Sequence, residues 1–447
     1  MSENKVDVLN EPLIRVMIKL SWPVIAANLL QTVYNIVDAF WLGKLGAIEL
    51  SAPTVSWPIV FTVLSLTSGF SIAGIALVSQ YTGSGKIKDA ENAAAQTLLV
   101  SAVFGLLIGI CGSIFSYSIL SLLGVKGKVL VYANEYMITI FLGTPLLFAM
   151  MIVGGIFQGW GNTLIGMKFT LVSVIINVVL DPLMIFGIGF PKLGVLGAAL
   201  ATVISRGIVS IYAMYVLFTG KIGFRIRLSS FKPDKKMIMK ILKIGFPASF
   251  GQGITALGFV IIMGIITRFG PVVISAYGVG NRITSLITMF GMGVSRATAT
   301  VVGQALGAGR IKKAVQGLWT GFWFTFITVS VMCVFTFLFG GGLTHLFISD
   351  PGVIKVGRTF FKLVSFSIPF FSSTQVLLAA LQGSGHTLQS TFVNVTRLWG
   401  VRVPLVIWMA DIYGINGVFY AMIISNILAL LLALIVVSLG KWKKKMI

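Results

Sequence analysis

Two carboxylates stand where a carboxylate is expensive. Asp38 closes the stretch Gln31-Thr32-Val33-Tyr34-Asn35-Ile36-Val37-Asp38, inside an apolar run with no other charge between Lys19 and Lys44. Asp181 lies comparably deep, in Ile176-Asn177-Val178-Val179-Leu180-Asp181-Pro182. An ionised group at such depth in an apolar helix costs roughly 2.5–3.5 kcal/mol and is read first as functional. Each acid has a polar residue four positions upstream, Tyr34 for Asp38 and Asn177 for Asp181. That spacing puts each pair on one helix face. Two such faces turned toward each other make a cation site of oxygen ligands.

The second acid has further oxygens within reach. Pro182 has no N–H to give to the Val178 carbonyl, which predicts a freed carbonyl and a kinked helix. The Thr202 hydroxyl, from the next apolar segment, can join Asn177 and Asp181. Two like charges at low dielectric do not both stay ionised cheaply. Either one takes up a proton or both hold a cation. The plainer alternative is that Asp38 and Asp181 only hydrogen-bond neighbouring helices. Gln31 and Asn35, on the same polar stretch, are candidates to line an adjoining cavity.

The elements that would carry these residues are membrane spans. The 447 residues are 57% hydrophobic and 10% charged, with a mean hydropathy of +0.98, the profile of an all-α polytopic membrane protein. Apolar segments fall at about 20–41, 51–80, 92–118, 132–158, 164–188 and 194–219, then at about 244–267, 273–303, 315–340, 357–382, 388–409 and 415–439. Twelve transmembrane helices are predicted. Of the 34 basic residues, twenty-one fall on the side of the N-terminus and only eight on the other. The basic-inside rule then places both termini in the cytoplasm. It also accounts for the net charge of +22 without invoking nucleic acid. Stretches 12–19 and 235–243 are amphipathic and read as helices lying on the membrane surface. Cys111 and Cys333 fall in apolar segments and read as core thiols, with no disulfide or metal framework.

An internal repeat organises the chain. At an offset of 224 residues, Pro23 meets Pro247, Gly69 meets Gly293, Gln80 meets Gln304, Gly83 meets Gly307 and Pro145 meets Pro369. The halves are an N-terminal lobe, 1–219, and a C-terminal lobe, 244–447, joined by a cytoplasmic linker, 220–243. Six spans per half is an even number, so the lobes insert in the same orientation, with a cavity expected between them. The repeat also exposes an asymmetry. Gly258 stands opposite Tyr34, Ile262 opposite Asp38 and, after a two-residue drift, Val403 opposite Asp181. Where the first half has acids, the second has Arg282, Arg296, Arg397 and Arg402. Arg282, Arg397 and Arg402 are candidates to line the cavity, whereas Arg206, Arg282 and Arg296 can also be read as snorkelling near helix ends. No nucleophile–base set, zinc spacing or nucleotide loop is present, which argues against an enzyme and against a bound cofactor.

These features together resemble the multidrug and toxic compound extrusion (MATE) family. The resemblance rests on the two six-helix halves, Pro23 and Pro247, and Gly83-Ser84-Gly85-Lys86 echoed by Gly307-Ala308-Gly309-Arg310. Gln158-Gly159-Trp160-Gly161-Asn162-Thr163 and the Asn177-to-Pro182 piece complete it. It implies a monomeric antiporter of the cytoplasmic membrane that exchanges inward-moving H⁺ or Na⁺ for an outward-moving, amphipathic, usually cationic drug. By the same resemblance, the coupling-cation site falls on Asp38, Asn177, Asp181 and Thr202, with Tyr34 beside it; these four are the metal ligands if the ion is Na⁺. A branch of the family carries further carboxylates on the seventh and tenth helices. This chain has none between Gly245 and Thr267 or between Gly357 and Gln382. The rival reading, from the same superfamily, is a flippase for lipid-linked oligosaccharide or another anionic lipid, which the arginines favour. A channel or purely structural membrane protein fits the asymmetric repeat less well.

Overall fold

The computed structural model describes residues 5–189 and 191–447; residues 1–4 of the expected N-terminal lobe, and Phe190, lie outside the described residues. The described chain is all helical. In order it runs α1 (Leu13–Leu45), α2 (Ala47–Gly83), α3 (Ile87–Leu122), α4 (Gly127–Leu142), α5 (Thr144–Trp160), α6 (Thr163–Phe186) and α7 (Val195–Thr219). There follow α8 (Lys235–Ile266), α9 (Pro271–Gly307), α10 (Ile311–His345), α11 (Pro351–Gly383), α12 (Thr387–Val395), α13 (Val403–Tyr413) and α14 (Ile415–Ser438). Long apolar runs satisfy every backbone group internally as helix, which is what a hydrocarbon environment demands. Helices of 33–37 residues are about 50–55 Å long, well beyond the ~30 Å of a bilayer core.

The spans differ from the sequence expectation in three places. Among the described residues ten helices are long and apolar enough to cross a membrane, and eleven spans result if the bent pair α4–α5 is one. The segment expected at 132–158 is that pair, bent by 53° where Gly143 and Pro145 meet. The segment expected at 388–409 is divided into α12, a π-helical piece Thr396–Arg402, and α13. Pro404, which lacks an N–H, stands two residues past Arg402 at the start of α13, and the ladder is loosened there. The amphipathic stretches expected to lie separately on the surface instead run without a break into α1 and α8. Pro23 in the first, and Gly245 and Pro247 in the second, stand where each stretch passes into the apolar run, and all are absorbed inside their helices. α6 likewise continues through Pro182. Of the two thiols, Cys333 is in the core but Cys111 faces outward.

The chain forms two compact units. The first contains Ala26–Val78 and Lys86–Ser249; the second contains Val6–Ile25, Ser79–Gly85 and Phe250–Ile447. In the first, α7 packs against α4, α5 and α6, so residues on its inner face are enclosed. In the second, α11 packs against α9, α10 and α14. The repeat is visible in close contacts inside each unit. In the first, a Cβ on Gly69 would come within 2.2 Å of Ser249 and 2.5 Å of the Gly245 carbonyl. Its counterpart in the second is Gly293, whose Cβ would meet Ile25 at 2.5 Å and the Ser21 carbonyl at 3.0 Å. Ser21 and Gly245, like Ile25 and Ser249, are themselves 224 residues apart, so the two contacts are repeat-equivalent.

The segment 220–234 is tied to α3. Gln96 donates to the carbonyls of Ser230 and Lys232 at 2.7 and 2.8 Å and accepts from the Asp234 amide at 3.1 Å. Asp234 caps α8, accepting from the amides of Lys236 and Met237 at 3.0 and 3.1 Å and from Asn92 at 2.9 Å. These hydrogen bonds, led by the Met237 amide and the Asn92 side chain, hold its carboxyl below its ordinary value.

Candidate functional site

The sequence-predicted oxygens assemble inside the first unit. Asn177 and Asp181 are fully buried on α6, one turn apart, and the Asn177 amide donates to Asp181 Oδ1 at 3.0 Å. Thr202 of α7 and Tyr34 of α1, both buried, share a hydroxyl–hydroxyl bond of 2.5 Å. Asp38, one turn beyond Tyr34 on α1, acts on Asp181 by Coulomb repulsion. Beneath them lies an apolar cluster that includes Leu42, Met137, Ile185 and Ala198, which keeps the local dielectric low.

Three buried oxygens of this group have no hydrogen-bond partner among the described residues: Asp38 Oδ1, Asn177 Oδ1 and Asp181 Oδ2. A buried acceptor without a donor is costly, and for a carboxylate the cost is largest. A proton or a small hard cation relieves it, because oxygen is the ligand such a cation takes. The Thr202 hydroxyl is shared with Tyr34, and its oxygen has a second lone pair. Among the described residues no group of three His, Cys, Asp or Glu could hold a metal; the site has two acids and depends on neutral oxygens for the rest.

Two further side chains complete the electrostatics. Arg206, one turn along α7 from Thr202, is held by Gln31, to which it donates at 3.1 Å. Its guanidinium sits 5.1 Å from the centre of the Tyr34 ring, a cation–π distance, and exerts a Coulomb attraction on Asp38. Half-buried Arg206 thus packs against Gln31 and Tyr34 beside the acids. Tyr136 of α4, buried and within electrostatic reach of Asp38 and Asp181, was not singled out by the sequence. A tyrosine in an apolar run reads as packing, and only the fold of α4 against α7 brings it here. Gln31 also donates to Asn35 at 3.3 Å, and Asn35 is exposed. With both carboxylates ionised, two carboxylates and one guanidinium would leave one uncompensated negative charge.

The second unit closes the equivalent position. A Cβ on Gly258, the counterpart of Tyr34, would come within 2.4 Å of Leu398 and 3.4 Å of Trp399, so side chains from the π-helical piece occupy that space. Ile262, the counterpart of Asp38, is buried in an apolar cluster. Arg397 and Arg402, both at most 4% exposed, lie in this unit with no carboxylate paired to either among the described residues. Arg402 donates to Ser425 at 2.8 Å and to Asn426 Oδ1 at 2.5 Å. Arg397 reaches the same Asn426 oxygen at 3.5 Å and stacks 4.9 Å from Phe371, with its Nε unpartnered. Arg282 is exposed, apart from these two, and Arg296 is half-buried.

The comparisons with known proteins agree with this architecture. The MatE family model matches the chain twice, over residues 23–183 and 247–408, so each match begins at one of the repeat prolines, Pro23 and Pro247. A Bacillus subtilis relative named Probable multidrug resistance protein YpnP is 27% identical over 98% of this chain and 97% of its own. A Shewanella oneidensis relative named FAD transporter is 26% identical over 94% of this chain and 93% of its own. A solved structure described as the outward-facing conformation of a multidrug resistance MATE family transporter superposes with a TM-score of 0.91 at 23% identity, covering 98% of each chain. Two family matches, the repeat that generates them and the shared helical fold lead to one conclusion: the chain belongs to the MatE family of multi-pass membrane transporters.

Proposed function

We propose that this chain is an antiporter that exports amphipathic, chiefly cationic, organic molecules across the cytoplasmic membrane in exchange for one monovalent cation, H⁺ or Na⁺. Drug export is supported by the names that its relatives carry. The observation that carries the coupling is the set of three unpartnered buried oxygens on Asp38, Asn177 and Asp181. With Arg206 beside them, the site lacks one positive charge, which a single monovalent cation supplies. Asp38 and Asp181 hold the ion, Asn177 orients Asp181 through its amide, and Tyr34 and Thr202 fix α1 against α7 so that loading the site is felt by α1. Alternating access then carries the ion inward as substrate leaves, with both termini in the cytoplasm, the protein acting as a monomer in the bilayer and using no cofactor or nucleic acid.

The test is efflux of a cationic dye such as ethidium from proteoliposomes, driven by an imposed pH gradient or an imposed Na⁺ gradient, applied separately. Wild type should respond to one of them, and Asp38→Asn and Asp181→Asn should each abolish the response. Gradient-driven efflux surviving both changes would sink the proposal.

A second reading has its own observation. Arg397 and Arg402 are buried cations with no acidic partner among the described residues, and a buried unpaired charge is strongly unfavourable. An anionic substrate, such as the headgroup of a lipid-linked oligosaccharide or another phosphate-bearing molecule, would supply that partner, and one relative is named for the doubly phosphorylated flavin FAD. Complementation of a cell-wall flippase defect, set against dye efflux, separates the two readings.

A further inference from the structure

Away from the acids, the second unit carries two adjoining hollows of opposite character. One, of about 410 Å³, lies at the start of α11 and is lined by His345, Ser349, Lys355, Arg358, Thr359 and Lys362 among others. The other, of about 420 Å³, runs between α10 and α11 and is walled by side chains such as Cys333, Val334, Phe337, Phe366, Pro369 and Phe370. Lys362 borders both.

The basic hollow is not explained by helix stability or topology. Lys355, Arg358 and Lys362 are spaced i, i+3 and i+7, which places them on one face of α11. All three are exposed, and among the described residues no carboxylate pairs with them or with His345. The nearest acid in sequence, Asp350, is committed to capping α11, accepting from the Val353 amide at 2.9 Å. Gly341 of α10 makes room for Arg358: a Cβ there would sit 2.8 Å from the arginine Nε, so the guanidinium lies against the helix. In the orientation proposed above, this face is on the side where basic residues are fewest, and topology gives no reason for three of them within eight positions.

The apolar hollow has the length of a lipid tail. On α10 it follows Phe326, Ser330, Cys333 and Phe337, a single helical stripe whose ends are eleven steps apart, or about 16 Å at 1.5 Å per residue. Half of a ~30 Å hydrocarbon core is about 15 Å. Phe366, Val334 and Phe337 are all outward-facing, so the groove opens laterally toward the bilayer. Because α11 is about 50 Å long, its first turns extend into the headgroup layer, where the basic hollow lies.

We propose that this pair of hollows is a binding site for an anionic phospholipid. The phosphate and any second acidic group sit among Lys355, Arg358, Lys362 and the Ser349 and Thr359 hydroxyls, and one acyl chain lies in the α10–α11 groove. Three uncompensated positive charges select a net-negative headgroup over a zwitterionic one. The site is separate from the Asp38–Asp181 cluster and does not depend on the coupling mechanism.

Native mass spectrometry of the full-length protein, offered equal amounts of dioleoylphosphatidylglycerol and dioleoylphosphatidylcholine, tests it. Wild type should retain the glycerol lipid in preference by about tenfold or more, and Arg358→Gln/Lys362→Gln should lose that preference. Ser330→Trp, which fills the groove and leaves every charge in place, should weaken retention as well, and it keeps the test open if the charge variant does not fold. Glycerol 1-phosphate, the headgroup without tails, should fail to displace the bound lipid. Equal retention of both lipids by wild type, retention unchanged in both variants, or displacement by glycerol 1-phosphate at equal concentration would each overturn the assignment.

Discussion

Arg206 makes a prediction that runs against the usual expectation for a transport-site mutation. Replacing it with Gln keeps a donor for the Gln31 oxygen, which Arg206 now contacts at 3.1 Å, but removes the positive charge that opposes the incoming cation. The site then holds two carboxylates with no fixed counter-charge. A unit charge about 6–8 Å away, at an effective dielectric of ~20, is worth roughly 2–3 kcal/mol, or some 30- to 100-fold in cation affinity. Because Arg206 is only half-buried, solvent screening puts the effect toward the lower figure. Arg206→Gln should therefore lower the half-saturating concentration of the coupling ion by about 30-fold while slowing maximal efflux, since a tightly held ion is released slowly. Gradient-driven dye efflux in proteoliposomes, titrated with the coupling ion, reads both quantities. An unchanged or raised half-saturating concentration would refute the placement of Arg206 as the site's counter-charge.

Two further predictions concern stability. A Cβ at Gly307 would come within 1.9 Å of the Gln80 carbonyl oxygen, and one at Gly83 within 1.9 Å of the Gln304 carbonyl oxygen. Backbone cannot yield as a side chain can, so Gly83→Ala and Gly307→Ala should each destabilise by roughly 1–3 kcal/mol, seen as a lower melting temperature in detergent. Asp234→Ala removes the cap of α8 and should cost about 1–2 kcal/mol at neutral pH. Since the folded state holds the Asp234 carboxyl below its ordinary value of 3.8, its contribution is complete above that pH and fades as pH falls through the lower folded value. The wild-type-minus-variant difference in melting temperature should accordingly be constant from neutral pH to about 5 and shrink only in stronger acid; a difference that vanishes already at pH 6 would contradict the assignment.

Much of this site can be read in the sequence because charge in an apolar run is rare. Asp38 and Asp181 stand out for that reason, and i,i+4 spacing adds Tyr34 and Asn177. The Tyr34–Thr202 bond needed two helices brought together, yet each residue was recognisable as a polar interruption. Arg206 was visible but ambiguous, since a long cationic side chain near a helix end reads as snorkelling until its partners are seen. Tyr136 carried no signal at all, because burial of a tyrosine is ordinary and its neighbours come from other helices. The fold follows the same division. Hydropathy and the 224-residue offset reveal the spans and the repeat, whereas the 53° bend between α4 and α5 and the π-helical piece before Pro404 depend on local backbone geometry that composition does not encode. The unbroken helices through 13–19 and 235–243 show the converse: an amphipathic face is compatible with a surface helix or with the end of a long span, and only the continuity of the helix through Pro23 and Pro247 distinguishes the two.

The central claim is that Asp38 and Asp181, opposed by Arg206, bind one monovalent cation. Counting that cation tests it directly, by equilibrium dialysis of purified full-length protein with ²²Na⁺ and, in parallel, by proton uptake in weakly buffered solution on stepping the pH downward. Wild type should take up one Na⁺ or one proton per molecule beyond what Asp38→Asn/Asp181→Asn takes up. Identical uptake of both ions by wild type and the double variant would contradict the account.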